Sequence, residues 1–128
     1  MNAWTSDELN KIGKAEELLI ASLRADGTLR KPVIIWVVRL GDDLYVRSVN
    51  GRTSAWFRGV QTRHEGHIRA GGVDKDVTFA EETDPEINKQ LDTAYRTKYR
   101  RSPSSVDHIT SPEARSATIK LFPQSRSS

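Results

Sequence analysis

Apolar and polar positions along the chain change period several times, and those changes divide it into elements. Thr5-Ser6-Asp7-Glu8 precedes a helical pattern at Leu9 and Ile12. Thr5 can accept from the helix start while Glu8 reaches back, which predicts a capped N-terminal helix within residues 1–13, with Trp4 and Leu9 as its hydrophobic staple. Glu17 to Leu23 reads as a strand and Asp26-Gly27 as a turn. Leu29 to Leu40 is a second strand, and within it Val33-Ile34-Ile35-Trp36-Val37-Val38 breaks the period of two. An apolar run of this kind predicts burial on both faces, with a barrel interior on one side and a helix or a partner subunit on the other.

Gly41-Asp42-Asp43 predicts a tight hairpin into a strand from Leu44 to Val49, where Leu44 and Val46 face one way and Tyr45 and Arg47 the other. Asn50 to Thr53 is a loop, and Ser54 is placed to cap a short helix through Ala55, Trp56, Phe57 and Val60. Gly66 to Ala70 and Val73 to Ala80 are further strands around Gly71-Gly72, the latter with a wet face of Asp74, Asp76 and Thr78. Asp84-Pro85 opens the longest helix, residues 84–101, with Ile87, Leu91, Ala94 and Tyr95 as its apolar stripe and Lys98, Arg100 and Arg101 near its end. A polar connection follows Ser102-Pro103. Ala117, Ile119 and Leu121 form a closing strand, and 123–128 is a flexible tail. The expectation is one mainly β domain over residues 1–128 with peripheral helices (α+β), a six-stranded and mostly antiparallel barrel.

Composition narrows the classes. The chain has 128 residues, 36% hydrophobic and 29% charged, as expected of one globular domain. It has no cysteine, which removes disulfides, thiolate nucleophiles and cysteine zinc sites. No apolar run reaches the roughly 18 residues of a membrane span, and the N-terminus lacks the order of a signal peptide. No membrane association is expected, and the cytoplasm is the expected location. Net charge is +3, yet residues 39 to 69 hold six arginines and two histidines against Asp42, Asp43 and Glu65. That local excess suits an anionic ligand or a solvated face.

Candidate chemistry concentrates in LYVRSVNGRTSAWFRGV, Leu44 to Val60. Arg47, Arg52 and Arg58 offer charge and forked hydrogen bonds. Ser48, Asn50, Thr53 and Ser54 offer polar side chains, Gly51 permits close backbone approach, and the helix start adds free N–H groups. Together they form a candidate phosphate or carboxylate cradle. A capped hairpin loop whose arginines meet only water has the same pattern. Trp36, Trp56 and Phe57 could wall a heterocycle or serve as core. His64 and His67 flank Gly66 without a third ligand nearby, so no metal site is expected. The aromatics lie in apolar runs rather than on a basic strand face, so nucleic-acid binding is not expected. No catalytic residue stands out.

GDDLYVRSVNGRTSAWFRG followed by HIRAGG, taken with Asp26-Gly27-Thr28-Leu29-Arg30-Lys31-Pro32-Val33, resembles the flavin and deazaflavin split β-barrel superfamily, whose members include pyridoxamine-phosphate-oxidase-like and deazaflavin-dependent nitroreductase-like proteins. Within it the chain looks like a member of a small uncharacterised bacterial family. The resemblance implies a homodimer with FMN or a deazaflavin at the subunit interface. It implies a cofactor phosphate at Arg47, Ser48, Gly51, Arg52, Ser54 and Arg58, Trp56 beside the ring, and Arg30, Lys31, Pro32 and Val33 flanking it. The activity implied is that of an oxidoreductase. A non-enzymatic dimeric module binding a small anionic metabolite is the alternative on the same fold.

Overall fold

The computed structural model describes residues 3–124. Seven strands make one antiparallel sheet: β1 Leu18–Ser22, β2 Val33–Ile35, β3 Val37–Leu40, β4 Asp43–Arg47, β5 Glu65–Ala70, β6 Val73–Glu81 and β7 Thr118–Pro123, in the order β2-β1-β5-β6-β7-β4-β3. The two end strands are consecutive in the chain and separated only by Trp36. The sheet therefore curls round to meet itself at one bend, giving a nearly closed barrel.

The expected six strands become seven because the strand Leu29 to Leu40 is broken at Trp36. Val33–Ile35 pairs with β1 and Val37–Leu40 with β4, on opposite edges of the sheet. A single strand crossing the gap could not satisfy both registers. Burial of the apolar run divides at the same place. Val37 faces the interior and Val38 lies under a helix, both fully buried, as the pattern predicts. Val33 and Ile34 are 37% and 60% exposed. For these two residues no second covering face is supplied by the described residues.

Among the described residues five α-helices surround the barrel: α1 Ser6–Lys14, α2 Ala55–Thr62, α3 Pro85–Lys98, α4 Pro103–Ile109 and α5 Pro112–Arg115. The α1 capping box forms, with Glu8 N donating to Thr5 Oγ1 at 3.1 Å and Thr5 N to Glu8 Oε1 at 2.9 Å. Trp4, Leu9 and Ile12 plug one end of the interior beside Leu18, Ile20, Val46, Ile68, Val77, Phe79 and Ile119. Outside the barrel, Tyr45 and Val38 pack under Leu91, Tyr95 and Tyr99 of α3 and its C-cap, and under Val106 and Ile109 of α4. Asp84 caps α3, accepting from Glu86 N at 2.8 Å.

The polar connection after Ser102 holds two helices rather than loop. Both start at Ser-Pro, with Pro pre-set for a first helical position. Of the expected tail, Pro123 completes β7, and 125–128 lie outside the described residues.

Candidate functional site

The arginines of the Leu44–Val60 segment occupy three different environments. Arg47 is 1% exposed. Its Nε donates to Thr118 Oγ1 (3.0 Å), one terminal nitrogen to Asp92 Oδ1 (2.5 Å) and Ile109 O (3.2 Å), and the other to Asn88 O and Oδ1 (2.9 and 3.0 Å). A guanidinium has five N–H groups, and all are used inside the chain. Arg47 thus has no donor left for a phosphate, and it holds α3 to β4 and β7 instead. The period of two places Arg47 on the outer face of β4. Only the fold shows that α3 covers that face.

Arg52 binds Glu81 Oε1 and Ser116 O, each at 2.7 Å, and its guanidinium lies over Phe57. The hydrogen bond from Arg52 holds the Glu81 carboxyl below its usual range. Arg58 is exposed on α2, and its guanidinium has no partner among the described residues. Gly51 is buried at φ +75°, and a Cβ there would lie 2.5 Å from Glu113 Cγ. Its close approach is to α5, not to a cavity. Ser54 stands at the α2 N-cap without a capping side-chain bond; its Oγ is paired with Ser48 Oγ at 2.6 Å. His67 is engaged by Asp76 at 2.8 Å and by Asp74.

What the fold assembles is a pair of adjoining clefts sharing Val33 and Trp56. The first encloses about 370 Å³. Val33 to Trp36 and Trp56 give it an apolar wall, while Ser48, Asn50, Ser54 and Ser105 line it with neutral hydrogen-bonding groups. Trp36 is fixed by stacking on Tyr99, with centroids 3.7 Å apart and planes 3° from parallel. It is partly buried, both packing and wall.

The second cleft, of about 490 Å³, is cationic: Arg24, Arg30 and Lys31 line it with Ser22, Pro32 and Ala55. The hairpin closing β1 onto β2 brings them together, with Arg24 N donating to Thr28 O at 2.7 Å and Arg30 N to Ser22 O at 2.9 Å. Arg24 is folded back on its own turn through Leu29 O. Ser22 is 2% exposed, and its Oγ and the Arg30 Nε are buried without a hydrogen-bond partner among the described residues. Leaving such groups unpaired costs about 1–3 kcal/mol each. Gly59 of α2 makes room for both, since a Cβ there would sit 2.4 Å from Ser22 Oγ. No acid offsets the charge of this cleft: neither Arg30 nor Lys31 has an ion pair among the described residues.

Of the residues expected at the site, Val33, Ser48, Ser54 and Trp56 meet around the first cleft, and Arg30, Lys31, Pro32, Val33 and Trp56 around the second. Arg47 contributes only as a wall, and Arg52, Arg58 and Gly51 are absent from both linings. Ser22, Arg24 and Ser105 join the linings without having been marked by sequence pattern. A signal for Arg24 exists, because Asp26-Gly27 forces a hairpin that returns Arg30-Lys31 beside it. Ser105 has none, because it comes from a helix distant in sequence.

A family model for an uncharacterised protein conserved in bacteria, DUF2255, matches residues 8–121. The chain belongs to this family. No curated protein matches it. Among solved structures, similar folds include a putative pyridoxamine 5'-phosphate oxidase from Listeria innocua (15% identity, 91% of this chain and 90% of the other, TM-score 0.64). HutZ, the haem storage protein of Vibrio cholerae, is similar too (13%, 98% and 93%, TM-score 0.62). So is an F420-H2-dependent reductase, FDR-A (13%, 84% and 93%, TM-score 0.60). At these identities the likeness is one of fold: this DUF2255 chain has the split-barrel fold of these structures.

Proposed function

We propose that this protein binds a two-part ligand, a flat heterocycle in the neutral cleft and an anionic chain in the cationic one, and that the ligand is FMN or a deazaflavin. The observation carrying this reading is the cationic cleft, lined by Arg24, Arg30 and Lys31, in which neither Arg30 nor Lys31 has an ion pair among the described residues. A phosphate or carboxylate in this cleft would supply the counter-charge that the chain does not. The adjoining cleft has the complementary character, with aromatic walls at Trp36 and Trp56 and hydroxyl and amide groups for a ring edge. The anion end is thereby assigned to the β1–β2 hairpin rather than to Arg47 and Arg52.

The fold relatives include a putative pyridoxamine 5'-phosphate oxidase and an F420-H2-dependent reductase, which supports a flavin-like ligand. When bound, such a group supplies hydride chemistry, and the chain supplies orientation and electrostatics. An oxidoreductase is the activity we infer. A second copy of the chain would cover exposed Val33, Ile34 and Val49 at the rim of the first cleft, enclosing the heterocycle in a homodimer.

Titration of FMN and of a deazaflavin, followed by ligand fluorescence, tests this. Quenching by the native protein is expected, with at least tenfold weaker binding by Arg30→Glu and little change for Arg52→Gln. Absence of quenching with both ligands would remove the reading. In that case, retention of inorganic phosphate or a small dicarboxylate, lost in Arg30→Glu, would favour a non-enzymatic anion-binding module.

A further inference from the structure

Tyr99 lines neither cleft, yet it holds one wall of the first. It is the C-cap residue of α3 and is 7% exposed. Its ring is the one on which Trp36 stacks. Trp36 is both the break between β2 and β3 and part of the cleft wall. The Tyr99 hydroxyl reaches the seam of the barrel, where it donates to Glu16 O at 2.7 Å and accepts from Val37 N at 3.3 Å. A hydroxyl has a single hydrogen to give. Val37 O, 3.2 Å from the same hydroxyl, is served by Lys98 Nζ at 2.6 Å. Burial pushes the Tyr99 hydroxyl above its usual pKa range, so it keeps the hydrogen it donates.

The place of that hydroxyl follows a register. β1 and β2 pair Leu18 with Ile35, Leu19 with Ile34 and Ile20 with Val33. The same antiparallel ladder, continued past Ile35, would set Glu16 opposite Val37. The backbone groups that would bond there, Glu16 O and Val37 N, are the two that the Tyr99 hydroxyl joins. The hydroxyl is thus a wedge in the ladder, and beyond it β3 pairs with β4 instead of β1. An unpaired strand edge is a template for further pairing. Without the hydroxyl, Val37 N loses its acceptor, and the acceptor in register for it is Glu16 O. Closing that bond draws Trp36 toward β1 and off the Tyr99 ring, and the cleft wall moves with it.

We propose that Tyr99 is a positioning residue of the first cleft: its hydroxyl stops the β1–β2 ladder at Ile35, and its ring fixes Trp36 as the wall against which a flat heterocycle lies. Tyr99 touches no ligand and acts only through Trp36. The choice of ligand rests on the heterocycle reading of this cleft; the state of the seam does not.

The Tyr99→Phe variant, which keeps the ring and removes the hydroxyl, tests this in two measurements. In the ligand-free protein, nuclear magnetic resonance reads the ring-current shift of the Trp36 indole and the coupling across a hydrogen bond from Val37 N to Glu16 O. The native protein is expected to show the shift without the coupling, and Tyr99→Phe the coupling without the shift. The second measurement compares lumiflavin, a flavin ring without a phosphate chain, with inorganic phosphate. A net hydrogen bond is worth up to about a factor of ten, so lumiflavin should bind about tenfold more weakly to Tyr99→Phe, with phosphate binding in the cationic cleft unchanged. An indole shift retained in Tyr99→Phe, lumiflavin binding unchanged, or an equal loss of both probes would overturn the proposal. Native protein that binds no lumiflavin would remove the heterocycle reading instead. Loss of the indole shift in Tyr99→Phe would then still support the wedge, and its retention would overturn it.

Discussion

The Arg47 side chain and Asp92 are 0% and 7% exposed, and Arg115 shares the other carboxylate oxygen at 2.6 Å. One carboxylate thus compensates a fully buried guanidinium and a half-exposed one. Removing it leaves Arg47 charged and buried, so Asp92→Asn should cost on the order of 3–5 kcal/mol, read as a lower urea midpoint. A loss no larger than that of an exposed ion pair would show that water reaches the network. Lys98 makes the opposite statement. Its folded pKa, about 8, is below the ordinary 10.5, so folding penalises the charged form. The penalty is fully present below pH 8 and disappears as pH rises from about 8 to 10.5. Stability attributable to this group should rise over that window, and Lys98→Met should flatten the rise in unfolding curves. Both side chains look alike in the sequence, as basic residues near an apolar stripe; the difference lies in what covers them.

At the scale of elements, local chemistry is readable wherever the deciding groups are neighbours in the chain. The Thr5–Glu8 box is complete within four residues, and Thr5→Ala should cost about 0.5–2 kcal/mol, detectable as a lower thermal midpoint. Asp84-Pro85 and Asp26-Gly27 form as their residues predict for the same reason. Ser54 shows the limit. It has the right residue type and backbone position for a cap, but Ser48 lies opposite it across the Asn50–Thr53 turn and takes its hydroxyl. Gly51 is required by its φ of +75° and by Glu113 of α5 together. Gly51→Ala should therefore destabilise by about 1–3 kcal/mol, and Glu113→Ala should recover part of that loss in the double variant. Full additivity would mean that backbone strain alone is responsible.

For the whole molecule, the bend at Trp36 matters most. It turns one long apolar run into both edges of the sheet, closes the barrel, and leaves Val33 and Ile34 outside it. Exposed apolar side chains beside a cleft suit a second copy of the chain. Ile34→Lys should convert a dimer into a monomer in analytical ultracentrifugation while leaving the far-ultraviolet circular dichroism unchanged. A native protein that is monomeric at high micromolar concentration would remove this part of the proposal.

Periodicity, caps and turn residues determined the β-rich class, the places of β1, β4, β5, β6 and β7, and the helices α1 and α3, because those signals act over a few neighbouring residues. The same segments marked Arg30 to Val33 and Trp56 as wall candidates, through the resemblance they carry. The break at Trp36, the enclosure of Arg47 and the meeting of Ser22 with Arg30 belong to the tertiary structure. Each depends on which distant element arrives opposite a given face: β4 against β3, α3 over Arg47, and Gly59 of α2 against Ser22. A sequence states which faces a residue has. Long-range packing decides what those faces meet, and desolvation then decides whether a charge is free to bind.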